Sequence, residues 1–268
     1  MARSNEAITK TFIKEGKLSY SEKDNGGLTY LGLAYKKWPK AEVWPKIFKV
    51  IQSIRPDLTD SILKAVGTNG PIITLTKDEE SKINSLLEPL RKDLISFYKK
   101  EFWDTIEADN ILSQTFAESF FDFSVNVGSG TGAMLLQAYL GVKPDGDIGP
   151  KTLAKLNSEL LKNTYNVHID FTTVKIKKYC GIVSANSSQI SNLHGWLNRS
   201  LEVFDEIFEI DIIENLINTL PEAIPVELKN DITKLLKIYH LNKEYSLNKT
   251  PGNLTGLHNK ITEIINEK

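Results

Sequence analysis

Apolar residues recur at helical spacing through much of the chain, and glycine closes several of the runs. Ser4 or Asn5 can cap a first helix that ends at Glu15, with Gly16 as its stop. Tyr35–Ile54 reads as helix broken near Pro39–Pro45. Thr76 caps another that continues to about Trp103 despite Pro89. Phe116, Phe120, Phe123 and Val127 mark one face of a central core helix that stops at Gly128. Thr131 caps the next helix, which Gly141 ends, and Pro150 sits where a first helical turn takes proline. Further helices are expected at 151–161, 166–185, 187–218, 226–240 and 254–266. Residues 66–76 read as a loop with one short strand. Lys17–Gly32 alone has a strong hairpin signature. Its Asp24-Asn25-Gly26-Gly27 turn lies between Leu18-Ser19-Tyr20 and Leu28-Thr29-Tyr30-Leu31. The expected class is mainly α, with one small β-hairpin and a helical C-terminal extension.

Composition narrows the functions open to such a chain. With 268 residues it forms one large domain or two modest ones. A formal net charge of −1 gives no whole-molecule field toward nucleic acid. Cys180 is the single cysteine, so an intrachain disulfide framework and a multi-cysteine zinc site are excluded. His168, His194, His240 and His258 show no metal-ligand spacing. The most apolar stretch, Ile207–Ile217, carries Glu209, Asp211 and Glu214, which argues against a membrane span. The first residues lack the apolar core of a secretory signal. Synthesis in the cytoplasm is expected, with any action outside it depending on another route of delivery.

Glu15, Asp24 and Thr29 form the constellation with chemical promise. Glycoside hydrolysis needs a carboxylic acid to protonate the leaving oxygen and a second carboxylate kept ionised. Burial beside Phe12 and Ile13 favours the protonated form of Glu15. So does the C-terminal end of a helix macrodipole, by about 0.3–1 kcal/mol. Asp24, in a polar turn, stays ionised, and the Thr29 hydroxyl can position a water. A helix end and an Asn-Gly turn also use these residue types for purely structural reasons.

Longer motifs add weight. Lys14-Glu15-Gly16 followed by Asp24-Asn25-Gly26-Gly27-Leu28-Thr29-Tyr30-Leu31-Gly32 resembles the opening of glycoside hydrolase family 108, the lysozyme-like N-acetylmuramidases once described as secretion-activating proteins. Tyr98-Lys99-Lys100-Glu101-Phe102-Trp103-Asp104 is similar to the family's Tyr-x-x-x-Tyr-Trp-Asp. The likeness continues through Phe120–Gly128, Leu136-Gln137 and Leu140–Val142. Asp145–Thr152 and Gly195–Arg199 resemble the family's predicted peptidoglycan-binding module. The collinear match runs over about residues 5–200.

The resemblance implies a lysozyme-like helical fold and assigns the catalytic acid to Glu15. A nine-residue step to Asp24 is similar to phage-type lysozymes, where a Glu/Asp/Thr triad surrounds the scissile bond; this extends the assignment to Asp24 and Thr29. Tyr30, Phe102, Trp103 and Asn126 are the candidates for contacting substrate. Phe102 and Trp103 either stack on sugar rings or fill the core, and Asn126 either bonds an acetamido group or caps its helix. Asp145–Thr152 is read as a structural turn before a helix. Trp196 and Arg199, a helical step apart, are read as structural and able to stack on each other, and Cys180 as a buried apolar residue. The chain departs from the family at Lys17, where a second glycine is usual, at Asn25 for proline, and at Phe102 for tyrosine; the segment between about Arg55 and Arg91 is longer than usual. A lysine close to Glu15 weakens an acid role unless its ammonium points to water.

The implied domains are a catalytic region at 1–106, a peptidoglycan-binding module at 107–200 packed with it, and an extension at 201–268. The implied activity is hydrolysis of the β-1,4 bond between N-acetylmuramic acid and N-acetylglucosamine in bacterial peptidoglycan. It needs no metal or organic cofactor, and it acts in the periplasm or cell wall. A non-catalytic wall-binding protein on the same fold is the competing reading. In the extension, Phe204, Ile207, Phe208, Ile212, Ile213, Leu216 and Ile217 form a broad apolar side. It can pack on its own domain, a second copy, a phage or secretion-apparatus component, or a cognate inhibitor.

Overall fold

The computed structural model describes residues 2–21, 27–65, 73–207, 226–248 and 253–266. The chain is mainly helical and divides into two compact units, Arg3–Asp104 and Thr105–Lys268, the latter joined by Met1–Ala2.

The first unit begins with α1 (Ser4–Glu15), whose stop is Gly16 at φ 76°. A three-stranded antiparallel sheet follows, with β1 (Ser19–Ser21), β2 (Gly27–Tyr30) and β3 (Leu33–Ala34) in chain order. Ser19 pairs with Thr29 and Tyr20 with Leu28, as the hairpin pattern predicts. The third strand is an addition to the sequence reading; two residues are too short to show alternation. Leu31 and Gly32 join β2 to β3, at φ 47° and 81°, the two positive values a type I′ turn needs. Residues 35–42 are turns, and α2 (Val43–Ile54) starts two residues before Pro45. Next come α3 (Thr59–Ala65) and α4 (Lys77–Leu87), the latter opened by a capping box between Thr76 and Glu79. A 3-10 turn at Glu88–Leu90 accommodates Pro89 before α5 (Arg91–Tyr98), which runs into a π-turn at Lys99–Trp103. The expected strand within 66–76 is not seen at 73–76; residues 66–72 lie outside the described residues.

Ile8, Phe12, Leu28, Tyr30, Trp44, Ile47, Ile83, Leu87 and Tyr98 form the core of this unit. Two buried-edge hydrogen bonds fix the sheet on the helices. The Leu18 N–H donates to Asn84 Oδ1 at 3.0 Å, and the Tyr30 hydroxyl donates to the Leu87 carbonyl at 3.0 Å.

Among its described residues, the regular elements of the second unit are all helices. In α6 (Gln114–Val127), Phe116, Phe120 and Phe123 form the buried stripe that the spacing predicts, and all three rings meet Phe171. Then come α7 (Ser129–Tyr139), which starts two residues before Thr131, and α8 (Pro150–Ala185). The two helices expected at 151–161 and 166–185 abut in α8, across a kink at Asn163. Asn163 is extended, at φ −161°, and its side chain accepts from the Asn166 N–H as an N-cap does. After α9 (Ile190–Ile207), the extension folds back as α10 (Val226–Asn248) and α11 (Asn253–Asn266), which pack on α8, α9 and each other. Ile212, Ile213, Leu216 and Ile217 lie outside the described residues, whereas Phe204 is buried. Among the described residues no helix is long and apolar enough to cross a membrane.

Candidate active site

The last turn of α1 brings Glu15 against the β2–β3 turn. A Cβ on Gly32 would lie 2.7 Å from Glu15 Cγ, 2.9 Å from Glu15 Cδ and 2.7 Å from the Tyr98 hydroxyl oxygen. Only a residue without a side chain lets the glutamate, the turn and the tyrosine meet there. Tyr98 is buried and its hydroxyl donates to the Leu31 carbonyl at 3.0 Å. That bond pins a turn holding leucine at positive φ, a conformation a leucine adopts only under constraint from its surroundings. The Phe12 ring meets the Tyr98 ring edge-on at 5.1 Å and ties α1 to α5 on the buried side. The half-buried Glu15 side chain therefore lies against a turn that a buried tyrosine holds. It also sits at the negative end of the α1 dipole.

The other candidates fall into three groups. Thr29 is in β2, partly exposed, on the strand face opposite buried Leu28 and Tyr30. Lys17, the departure next to this helix end, is exposed. Asp24 lies outside the described residues.

Tyr30, Phe102 and Trp103 require correction as sugar-contacting residues. Strand alternation turns Tyr30 inward, where it is 2% exposed; burial, with a smaller push from Glu88, raises its hydroxyl to about 12. Trp103 is 0% exposed, and Phe102 stacks on Tyr98 at 5.3 Å with 7% exposure. Neither ring offers a face to a pyranose; the π-turn at 99–103 carries both into the core. Ile13, expected beside Glu15 as cover, points to solvent and only Phe12 is buried there.

Asn126 belongs to the second unit, in the last turn of α6, where its Nδ2 donates to the Asp122 carbonyl at 3.2 Å. The Asp145–Thr152 segment is held by Gln137. Its Nε2 donates to Asp145 Oδ1 at 2.7 Å and to the Asp147 carbonyl at 2.9 Å, and its Oε1 accepts from Gly146 N–H at 2.9 Å. Those bonds hold the Asp145 carboxyl below the usual carboxylate range, the Gln137 amide contributing most. Trp196 stacks on Tyr179 at 4.9 Å. Arg199 forms a bidentate pair with Asp122 at 2.9 and 3.0 Å. Cys180 is buried and its thiol is pushed up to about 11 by desolvation.

Sequence reasoning assigned no role to Gly32, Tyr98 or Trp38. The signal for Gly32 was its place at the end of a strand carrying Thr29. For Tyr98 it was the step of four to Phe102, which puts both on one helical face.

Comparison with known proteins finds two segments of the chain similar to family models. Residues 8–128 match the model of glycosyl hydrolase 108, and residues 131–201 match that of a predicted peptidoglycan domain. The solved structure of Brucella abortus SagA is similar over 76% of this chain and 92% of its own, at 18% identity and a TM-score of 0.49. No functionally curated protein matches the chain significantly. The chain is thus similar to glycosyl hydrolase 108 over residues 8–128 and to a predicted peptidoglycan domain over the segment that follows.

Proposed function

We propose that this peptidoglycan hydrolase is an N-acetylmuramidase with Glu15 as its general acid. One observation carries the reading: Glu15 ends a helix against a constrained, glycine-dependent turn that a buried tyrosine holds in place. Such pre-organisation suits a group that must meet a glycosidic oxygen in one geometry. The Glu15 proton passes to that oxygen as the bond to the muramic anomeric carbon breaks. Water supplies the new hydroxyl at that carbon. Asp24 and Thr29, by the spacing similar to phage-type lysozymes, position the water or stabilise the oxocarbenium-like transition state.

Clearing of purified cell walls, followed as turbidity loss, tests the role. Glu15→Gln keeps the shape and removes the acid, and its clearing rate is expected to fall by about 10²–10⁴-fold. Equal clearing by both proteins rejects Glu15. Wall binding by the unaltered chain without clearing favours the non-catalytic reading.

A further inference from the structure

With Phe102 and Trp103 buried, a sugar-stacking surface in the first unit has to lie elsewhere, and one cleft supplies a candidate. A cleft of about 670 Å³ opens between the 37–46 turn and α5. That is within the roughly 300–1,000 Å³ of small-ligand sites. Trp38 and Phe97 line it and are only partly buried, unlike Trp44 and Trp103. Trp38 is held firmly. Its carbonyl accepts from the Trp44 indole at 2.9 Å, and its ring meets Phe97 edge-on at 5.2 Å and Phe102 at 5.8 Å. A fixed, partly open indole is the surface on which the apolar face of a pyranose packs.

The charges of the lining are specific. Lys46 pairs with Asp93 at 2.6 Å and Lys100 with Glu101 at 3.2 Å. That leaves Lys37, Lys40 and Glu42 among the lining charges, and among the described residues neither Lys37 nor Lys40 has a carboxylate partner. In a chain of net charge −1 this is a local positive edge beside an aromatic floor. The same helix turn serves both sites. Phe97 lines the cleft, while the next residue, Tyr98, packs at Gly32 and Glu15.

We propose that the Trp38–Phe97 cleft is a binding site for an acidic amino-sugar strand. A ring of the strand stacks on Trp38, and Lys37 and Lys40 engage its carboxylates. The choice of ligand rests on the wall-glycan reading above; the stacking and the charge do not.

The test uses the full chain with Glu15→Gln, so that ligand is not consumed. The probes are a tetrasaccharide of alternating N-acetylglucosamine and N-acetylmuramic acid, with free lactyl carboxylates, and neutral chitotetraose. Trp38→Ala is expected to weaken both about tenfold, the scale of a lost stacking contact. The exposed pair Lys37→Glu and Lys40→Glu is expected to weaken only the acidic probe. Should Trp38→Ala fail to fold, the Trp38 indole N–H resonance replaces it and must shift on titration. Unchanged affinity in both variants, or a silent Trp38 resonance, overturns the proposal. Wall clearing by the unaltered chain is scored in parallel. Trp38-dependent binding without clearing rejects the muramidase and keeps the cleft, whereas clearing with Trp38 silent does the reverse.

Discussion

At the residue scale, the account depends on how little room surrounds Glu15. Gly32→Ala places a methyl 2.7 Å from both Glu15 Cγ and the Tyr98 hydroxyl, at a φ of 81° that alanine resists. Stability is expected to fall by about 1–3 kcal/mol, the cost of a strained backbone position. The clearing rate should fall further than the loss of folded protein explains, because the glutamate must move. A melting curve beside kcat on the same preparation checks this, and unchanged kcat in folded Gly32→Ala contradicts it. The place of Glu15 was legible in the sequence because a glycine stop marks the end of its helix. Tyr98 was not, because its role depends on a hydrogen bond to Leu31, 67 residues away. Tyr30, Phe102 and Trp103 misled for a related reason: an aromatic in a motif reads the same whether it faces a sugar or the core.

At the scale of elements, the helical pattern carried most of the fold. The Thr76 capping box, the Phe116–Phe123 stripe and Pro150 at a helix start are local signals, and each has its expected place. The kink at Asn163 was legible as a gap between two helices. The partner of Arg199 was not. It pairs with Asp122, and the two side chains are 15% and 11% exposed, so this contact joins α9 to α6 between residues 77 apart in sequence. Arg199→Leu takes the guanidinium away from a nearly buried carboxylate and is expected to cost about 3–5 kcal/mol. Asp122→Asn with Arg199→Leu should recover part of that loss. Denaturant unfolding of the single and double variants measures the coupling; additive losses would show that the pair does not stabilise α6 against α9.

At the scale of the whole molecule, the extension is the clearest gain over the sequence, which left its packing open. Leu235 and Ile238 of α10 and Leu257, Ile261 and Ile264 of α11 are all buried. At about 1.5–3 kcal/mol for each fully buried large aliphatic side chain, ending the chain after Ile207 should lower the melting temperature sharply. An unchanged melting temperature would mean that these helices do not contribute to the second unit. Acid sensitivity belongs to the same unit. His168 is 2% exposed against Phe116, and burial, then the Lys175 charge, lowers it to about 3. The unfolded chain binds this proton near pH 6.5 and the folded chain does not, so stability is full above about 6.5 and declines toward pH 3. His168→Phe should flatten that decline, and urea unfolding between pH 7 and 4 measures it; an unaltered slope would remove His168 as its source. The most direct test of the central claim is mass spectrometry of borohydride-reduced fragments released from defined peptidoglycan. The unaltered chain should yield reduced muramic ends, and Glu15→Gln about 10²-fold fewer or less. Reduced glucosamine ends, or the same products at the same rate from Glu15→Gln, would contradict a muramidase that works through Glu15.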